Sequence, residues 1–471
     1  MAILSVKNNF SNFKYSIISQ MIVIIFGVIR ALVIPIILGV SDFGYWQVYL
    51  LYAGFVGIFS FGFNDGIYLR YGGKQKTDLP WGKLRGSFYF YFFVLFIISL
   101  LFFFTIDYIN FSPEKALTFS YVVVNIGLMG FSSLFLFLFQ TTNQIKKYSI
   151  YMLVDKLIFV ILLFYIYQYS NVSFEKLMII DCFSKLLLIV AMAVDCRKDL
   201  FGKVAGFLSS FQEFYKNLGV GIKLMLANLA SMLVMNMSRF FVEQYYTLEE
   251  FSTFSFGITL TNIFLMAMNG VAVALYPYLK RVSEQKYPLV YAEITSAVSL
   301  LLFLSLLAYY PIYYFVFNYM SAYSTVLTYF NVLFVLSLLQ IKMNLTINTF
   351  YKVLREEKAL LKANFNSVII GLLLSALVVY FYKTVELMAF ALLLTIAFRV
   401  YHSDIFISKI LGTKNVVSAV LELTVFIVFI VVTSTLELYM SFVMMCLFLS
   451  TYTVMQKDKI VTWLNLIKGR K

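Results

Sequence analysis

Residues 86–106 read GSFYFYFFVLFIISLLFFFTI, without one charged side chain. A helix needs about 20 predominantly apolar residues to cross the hydrocarbon of a bilayer. Similar runs recur along the whole chain of 471 residues, which is 62% hydrophobic and only 13% charged, with a mean hydropathy of +0.87. This composition excludes a disordered chain, a secreted disulfide scaffold and an ordinary cytosolic enzyme. It predicts a polytopic membrane protein.

We predict an all-α membrane fold with about 14 transmembrane helices, because lipid offers the backbone no hydrogen-bond partner outside a helix. The alternating segments of about ten residues that mark a β-barrel do not occur in the sequence. The predicted spans are 14–40, 46–70, 86–106, 117–140, 149–169, 177–195, 217–243, 253–279, 290–318, 323–350, 363–382, 386–408, 416–436 and 438–455.

The net charge of +14 is explained by the loops. With the N-terminus inside, most Lys and Arg residues fall in cytoplasmic loops, and only Lys115, Lys176 and Lys383 fall in outside loops. We therefore expect both termini to lie in the cytoplasm. No nucleic-acid partner is expected. The first span is too long for a cleaved signal peptide and is expected to remain as an anchor.

The chain contains a weak internal repeat. RALVIPIILGVSDFG begins at Arg30 and RFFVEQYYTLEEFS begins at Arg239, and each arginine stands 12 to 13 residues before a phenylalanine. The alternative is chance similarity between apolar runs. The repeat predicts two pseudo-symmetric six-helix bundles, as in many transporters. The predicted parts are bundles at 1–195 and 217–411, an amphipathic cytoplasmic linker at 196–216, helices thirteen and fourteen at 412–455, and a basic cytoplasmic tail at 456–471.

Several cations fall inside predicted spans, where a charge is expensive unless it faces a cavity or a partner. We predict a cationic cavity that binds an anionic substrate, because arginine offers planar paired donors to phosphate. Its candidate residues are Arg30, Arg239, Lys185, Lys342 and Arg399. The alternative is local pairing, since Asp181 and Lys185 stand four residues apart on one helix face, and Asp404 follows Arg399 closely.

Acidic residues in or beside the spans are candidates for gating or ion coupling. They are Asp42, Asp65, Asp155, Asp181, Asp404 and Glu422. We expect no catalytic residue, no metal and no cofactor, with H+ or Na+ as a coupling ion. The single histidine, the three cysteines without a CxxC spacing, and the lack of GxSxG, HExxH and P-loop motifs support this expectation.

Two stretches resemble a known family. LGVSDFGYWQVYLLYAGFVGIFSFGFNDGIYLRYGGK, from Leu38 to Lys74, is similar to the start of bacterial polysaccharide repeat-unit flippases, and YYTLEEFSTFSFG is similar to their turn between helices seven and eight. These are the O-antigen, capsule and exopolysaccharide transporters of the multidrug/oligosaccharidyl-lipid/polysaccharide (MOP) superfamily. Together with the fourteen-helix layout, the resemblance covers the whole chain.

The resemblance implies two bundles that rock around a cationic cleft and move an undecaprenyl-diphosphate-linked oligosaccharide to the outer leaflet. It implies a cavity role for Arg30 and Arg239, and matches Asp42 to an acidic residue at the start of helix two. Peptidoglycan-precursor flippases carry a further arginine where this chain has Pro35 and Ile36. Expected partners are membrane lipids, a polysaccharide polymerase and a chain-length regulator. The alternatives are a drug antiporter of the same superfamily, a membrane polymerase or acyltransferase, and a structural assembly protein.

Overall fold

The protein is described here from a computed structural model, which covers residues 22, 24–74, 76–279, 282–413 and 416–455. Within these ranges the chain forms helices and connecting loops and no strand, which confirms the predicted all-α class. Nine described helices are long and apolar enough to cross a membrane, and ten are if one bent pair counts as a span. The count of 14 transmembrane helices stays a prediction. The predicted tail 456–471 lies outside the described residues.

The chain divides into two compact units between Ser231 and Met232, within one long helix. The helices that begin in the first unit are α1 (Ile24–Leu38), α2 (Val40–Phe55), α3 (Phe63–Tyr71), α4 (Trp81–Tyr108), α5 (Pro113–Thr141), α6 (Ile145–Tyr169), α7 (Phe174–Asp195), α8 (Arg197–Leu200) and α9 (Phe207–Tyr245). Those of the second are α10 (Leu248–Leu279), α11 (Tyr287–Ser305), α12 (Tyr309–Tyr319), α13 (Phe330–Lys342), α14 (Asn348–Val353), α15 (Glu357–Phe381), α16 (Val385–Leu411), α17 (Val416–Thr435) and α18 (Leu438–Met455).

The segment expected to be a separate linker helix has a different structure. After the short α8 the chain loses helical structure, and α9 then begins at Phe207, so residues 207–216 are the first turns of a 39-residue helix. The reason is a buried polar stripe at helical spacing, Ser210, Glu213 and Asn217, which packs inside the first unit. Arg85 on α4 holds the preceding loop by donating to three backbone carbonyl oxygens, including that of Asp199 at 2.7 Å. The proposed domain boundaries stay a prediction.

The span after α1 is broken. Gly39 separates α1 from α2 with a φ of 73°. At Phe61 and Gly62 the backbone again enters the left-handed region, and α3 leaves at 55° to the preceding helix. Glycine adopts this conformation without steric cost. The bend directs α3 against α9, where glycines let the two helices approach closely.

Two glycines make that contact tight. Gly62 and Gly66 form a small-xxx-small pair that faces Asn217 and Gly221 of α9. A Cβ atom at Gly66 would overlap the backbone of Asn217, and one at Gly221 would overlap the backbone of Gly62. In membranes, small residues let helix backbones approach where apolar burial drives no association. Arg70, near the end of α3, reinforces the contact by donating to Glu213 Oε1 at 2.6 Å.

Replacing Gly66 with alanine should therefore destabilise the protein by about 1–3 kcal/mol, the usual cost of overpacking. The added methyl group meets backbone atoms, which cannot rotate away. Thermal unfolding in detergent measures the effect. Gly127→Ala in α5 is the matched control, because a Cβ there meets nothing within 4 Å. Equal unfolding temperatures for the two variants would contradict the tight contact.

In the second unit the central helix is α13, whose 13 residues are all buried. It continues into a π-helical segment, Met343–Ile347, and then into α14. A π-helical turn inserts an extra residue and is common at functional sites. Lys342 therefore stands at the junction of regular and π-helical backbone in the middle of the unit.

Candidate functional site

Three of the predicted residues meet inside the first unit. Arg30 from α1 places Nη2 3.6 Å from Asp181 Oδ1 on α7. Lys185, one turn after Asp181, donates to its Oδ2 at 2.5 Å, so the predicted local pair is formed. The local pair of Asp181 and Lys185 is therefore part of a larger cluster. In this cluster Arg30 and Lys185 share a single carboxylate.

The carboxylate is held by a further donor from α2, and a residue of α5 binds that donor. Tyr49 donates its hydroxyl to Asp181 Oδ2 at 2.5 Å. Asn125 donates to the Tyr49 oxygen at 2.6 Å and accepts from Lys185 Nζ at 2.6 Å. Because Asp181 already receives these bonds, it holds Lys185 and Tyr49 in place. Four helices therefore fix the position of this cluster.

Arg30 is bound loosely by comparison. Its guanidinium carbon lies 4.9 Å from the Trp46 ring centroid and 4.4 Å from the Phe159 ring centroid. Such stacking on aromatic faces orients the guanidinium and does not use its N–H groups. Within the described chain, Arg30 Nε and Nη2 are buried and have no hydrogen-bond partner. A buried donor without an acceptor costs about 1–3 kcal/mol, so the arrangement suits a ligand that supplies acceptors.

The charges of this cluster do not balance. Two cations, Arg30 and Lys185, face one carboxylate, Asp181. One positive charge is therefore in excess, in a segment where burial makes any net charge expensive. An anion with several oxygen acceptors would neutralise the cluster and pair with the unused Arg30 donors.

The predicted cation Lys342 has a different environment. It is 1% exposed, and its ammonium lies 2.9 Å from Asp404 Oδ2 and 3.2 Å from Glu422 Oε1. Both carboxylates come from other helices, α16 and α17. In this conformation Lys342 is occupied by acidic partners and does not present a free charge to an anion.

The two remaining predicted cations lie in the second unit and are nearly buried. Arg239 on α9 donates to Ser255 Oγ and to Asn236 Oδ1, both at 3.4 Å. Arg399 on α16 donates from Nε to Asn364 Oδ1 at 2.8 Å. Both guanidinium groups have polar neighbours, and their role in binding an anion stays a prediction.

The other acidic candidates have distinct surroundings. Asp42 Oδ2 accepts from the backbone N–H of Phe174 at 3.3 Å, so it caps the start of α7. Asp155 pairs with Lys156 at 2.5 Å and accepts from Ser184 at 3.3 Å. Asp65 lies buried in the first turn of α3. By capping α7, Asp42 positions the helix that carries the cluster of Asp181.

Several residues of the cluster were absent from the sequence-based prediction. Tyr49 is one of 35 tyrosines and Phe159 is one of 51 phenylalanines, and the prediction named neither Trp46 nor Asn125. A signal existed for Asn125, because it is an amide within the apolar run 117–140 and such groups usually bind across helices. The aromatic residues carried no such signal, since most membrane aromatics face lipid or the interface.

Solved structures with the same fold define the class. The inward closed conformation of the lipid II flippase MurJ has a TM-score of 0.65 at 13% identity and covers 96% of this chain and 100% of that one. An inward-facing multidrug resistance MATE transporter of the MOP superfamily gives 0.58 at 13% identity over 83% and 99%. A MOP superfamily transporter from Pyrococcus furiosus gives 0.51 at 13% identity over 86% and 96%. The protein has the MOP fold of multi-pass membrane transporters.

The family follows from the sequence. A model of the polysaccharide biosynthesis protein family matches residues 10–283, more than half of the chain, so the chain belongs to this family. A sequence search of curated proteins finds no match. The expected resemblance to a polysaccharide family of the MOP superfamily is thereby confirmed, and the solved transporters named above share the fold of this chain.

Proposed function

We propose that the protein moves an undecaprenyl-diphosphate-linked oligosaccharide repeat unit from the cytoplasmic to the outer leaflet of the bacterial inner membrane. Membership of a polysaccharide biosynthesis family supports a role in surface polymer synthesis. The lipid II flippase with the same fold is named for a lipid-linked substrate. Both termini are proposed to lie in the cytoplasm, with a polymerase and a chain-length regulator as downstream partners.

The observation that carries the proposal is that, among the described residues, two buried guanidinium nitrogens of Arg30 have no hydrogen bond, within a cluster that has one excess positive charge. A diphosphate is too strongly hydrated to cross lipid unaided, and a cationic site offsets the cost of removing its water. Arg30 would donate to the phosphate oxygens, and Lys185 would supply the second charge. Arg239 and Arg399 of the second unit stay predicted candidates for anion binding, and the lipid tail is proposed to stay in the bilayer.

The competing function within the superfamily is export of cationic drugs. A site for organic cations requires excess negative charge, whereas the first unit carries excess positive charge around Asp181. The sign of this charge therefore separates the two functions and defines the experiment.

Reconstitution tests the substrate. Purified protein is inserted into liposomes that contain a polyprenyl-diphosphate oligosaccharide, and an external glycosidase measures the headgroups that reach the outer leaflet. We expect faster arrival than in protein-free liposomes and little stimulation for the same glycan on a polyprenyl monophosphate. Transport of a cationic dye with no movement of the diphosphate lipid would refute the proposal.

A further inference from the structure

The first unit contains an open cavity of about 710 Å³ that the proposed anion site does not use. It is lined by residues of α6, α7 and α8 and lies where α6 begins and α7 ends. Asp195, in its wall, stands ten residues after Lys185 on α7, which is about 15 Å along the helix. The cavity is therefore separate from the cluster of Arg30 and lies at the end of two membrane-spanning helices.

The cavity has more positive than negative charge. Its charged lining residues are the cations Lys147, Arg197 and Lys198 and the acid Asp195. Lys147 Nζ donates to both carboxylate oxygens of Asp195 at 2.7 Å, so these two charges cancel. Arg197 and Lys198 are exposed and add two further positive charges. The lining residues therefore carry an excess of two positive charges.

The next acid along the chain does not restore the balance. Asp199 follows Lys198 directly, but its Oδ2 lies 2.5 Å from Lys76 Nζ, in the segment before α4. The backbone carbonyl oxygens of Asp199 and Lys198 accept from Arg85 of α4 at 2.7 and 3.1 Å. The turn that carries Arg197 and Lys198 is thus anchored, and binding an anion does not require this backbone to be ordered first.

Two apolar stripes on the outside of the unit end at the cavity. Exposed side chains recur on α7 at spacings of three and four residues, and these are Ile179, Phe183, Leu186, Val190 and Val194. A similar stripe on α6 consists of Ile150, Leu157, Ile161 and Phe164. Ile150 and Val194 also line the cavity. On membrane-spanning helices such exposed stripes face lipid, so the cavity opens onto the lipid-facing surface.

The stripe on α7 is long enough for the acyl chain of a lipid. At 1.5 Å per residue, the stretch from Ile179 to Val194 is about 22 Å long. One leaflet contributes about half of the 30 Å hydrocarbon core, or about 15 Å. A lipid of one leaflet can therefore place its chains along the stripes and its headgroup in the cavity.

We propose that this cavity binds the headgroup of an anionic phospholipid whose acyl chains lie along the stripes of α6 and α7. The phosphate oxygens accept from Lys198 and from the paired donors of Arg197. Two excess charges favour a headgroup with two phosphates, as in cardiolipin, over one with a single phosphate, as in phosphatidylglycerol. The lipid stabilises the junction of the three helices and is not the cargo.

Native mass spectrometry of the detergent-purified protein tests the site, with cardiolipin as the probe. The double variant Arg197→Ala/Lys198→Ala should bind cardiolipin roughly 25-fold more weakly than wild type, because each cation near an anionic lipid contributes about fivefold. The matched control Lys83→Ala/Lys216→Ala removes two exposed lysines of the same unit that do not line the cavity, and it should bind like wild type. Equal affinities of all three proteins would overturn the proposal.

Thermal unfolding distinguishes a phospholipid from other phosphates. Cardiolipin should raise the unfolding temperature of wild type and control but not of the double variant, because a ligand of the folded state stabilises it. Without lipid the three proteins should unfold at the same temperature, which verifies that the double variant is folded. Pyrophosphate has no acyl chain and should have little effect.

Two results would refute a phospholipid site. A shift with pyrophosphate as large as that with cardiolipin would show a site for free anions. Tighter retention of a polyprenyl diphosphate than of cardiolipin would make the cavity a substrate site. Neither measurement involves transport, so failure of the proposed function would leave both results valid.

Discussion

Cells that produce Arg30→Ala should export almost no repeat unit, although the variant still inserts into the membrane. Arg30 contributes the unused donors of the first-unit cluster, and its loss removes both their hydrogen bonds and half of the cationic charge. Hydrogen bonds to charged groups contribute about 1.5–3 kcal/mol each, so loss of even one predicts a roughly 10- to 100-fold slower transport. Surface polymer, quantified per amount of membrane-inserted protein, measures the effect.

Two further variants define the cause. Arg30→Lys should restore part of the transport, because the charge returns without the planar fork of donors. Lys83→Ala changes an exposed lysine of the same unit and should leave export near the wild-type level. Wild-type polymer in the Arg30→Ala strain would exclude this residue from substrate binding, and a variant that fails to insert would show a structural role.

Replacing Lys342 with methionine should have the largest effect on stability. The change removes the only ammonium that contacts Asp404 and Glu422 among the described residues, and it leaves two carboxylates buried side by side. Removing one partner of a buried ion pair typically costs about 3–5 kcal/mol. We expect a marked loss of folded protein, measured as monodisperse protein after extraction in detergent.

The same substitution should be rescued by neutralising both acids. Lys342→Met combined with Asp404→Asn and Glu422→Gln removes all three charges and should recover much of the folded yield. Lys352→Met, an exposed lysine on α14, is the matched control and should behave like wild type. Equal losses in the single and triple variants would show that packing of the lysine stem matters, and not the charge balance.

The predicted cations show which contacts a sequence pattern can indicate and which it cannot. Arg30 and Lys342 both stood out as charges inside apolar runs. Pairing of Asp181 with Lys185 was foreseeable, since a spacing of four places both on one face of α7. The contacts of Arg30 with Asp181, and of Lys342 with Asp404 and Glu422, span many residues, so no local spacing indicates them.

The predicted linker, residues 196–216, also shows a difference between what the sequence pattern predicts and what the tertiary contacts produce. Basic residues between two apolar runs predicted a separate surface helix, but residues 207–216 belong to α9. Two of their polar side chains are buried: Glu213 binds Arg70 of α3, and Ser210 lies against Gly86 of α4. Composition alone cannot distinguish a polar residue that binds a helix from one that faces solvent.

The sequence by itself determined the membrane environment, the helical class and the residues that carry charge into the apolar spans, because a bilayer imposes its length and polarity on every segment separately. The tertiary structure decided which groups each of these charges contacts. Arg30 keeps unused donors beside two aromatic rings, while Lys342 is occupied by two carboxylates. The physical reason is that the cost of a buried charge depends on what the other helices bring within a few ångströms of it.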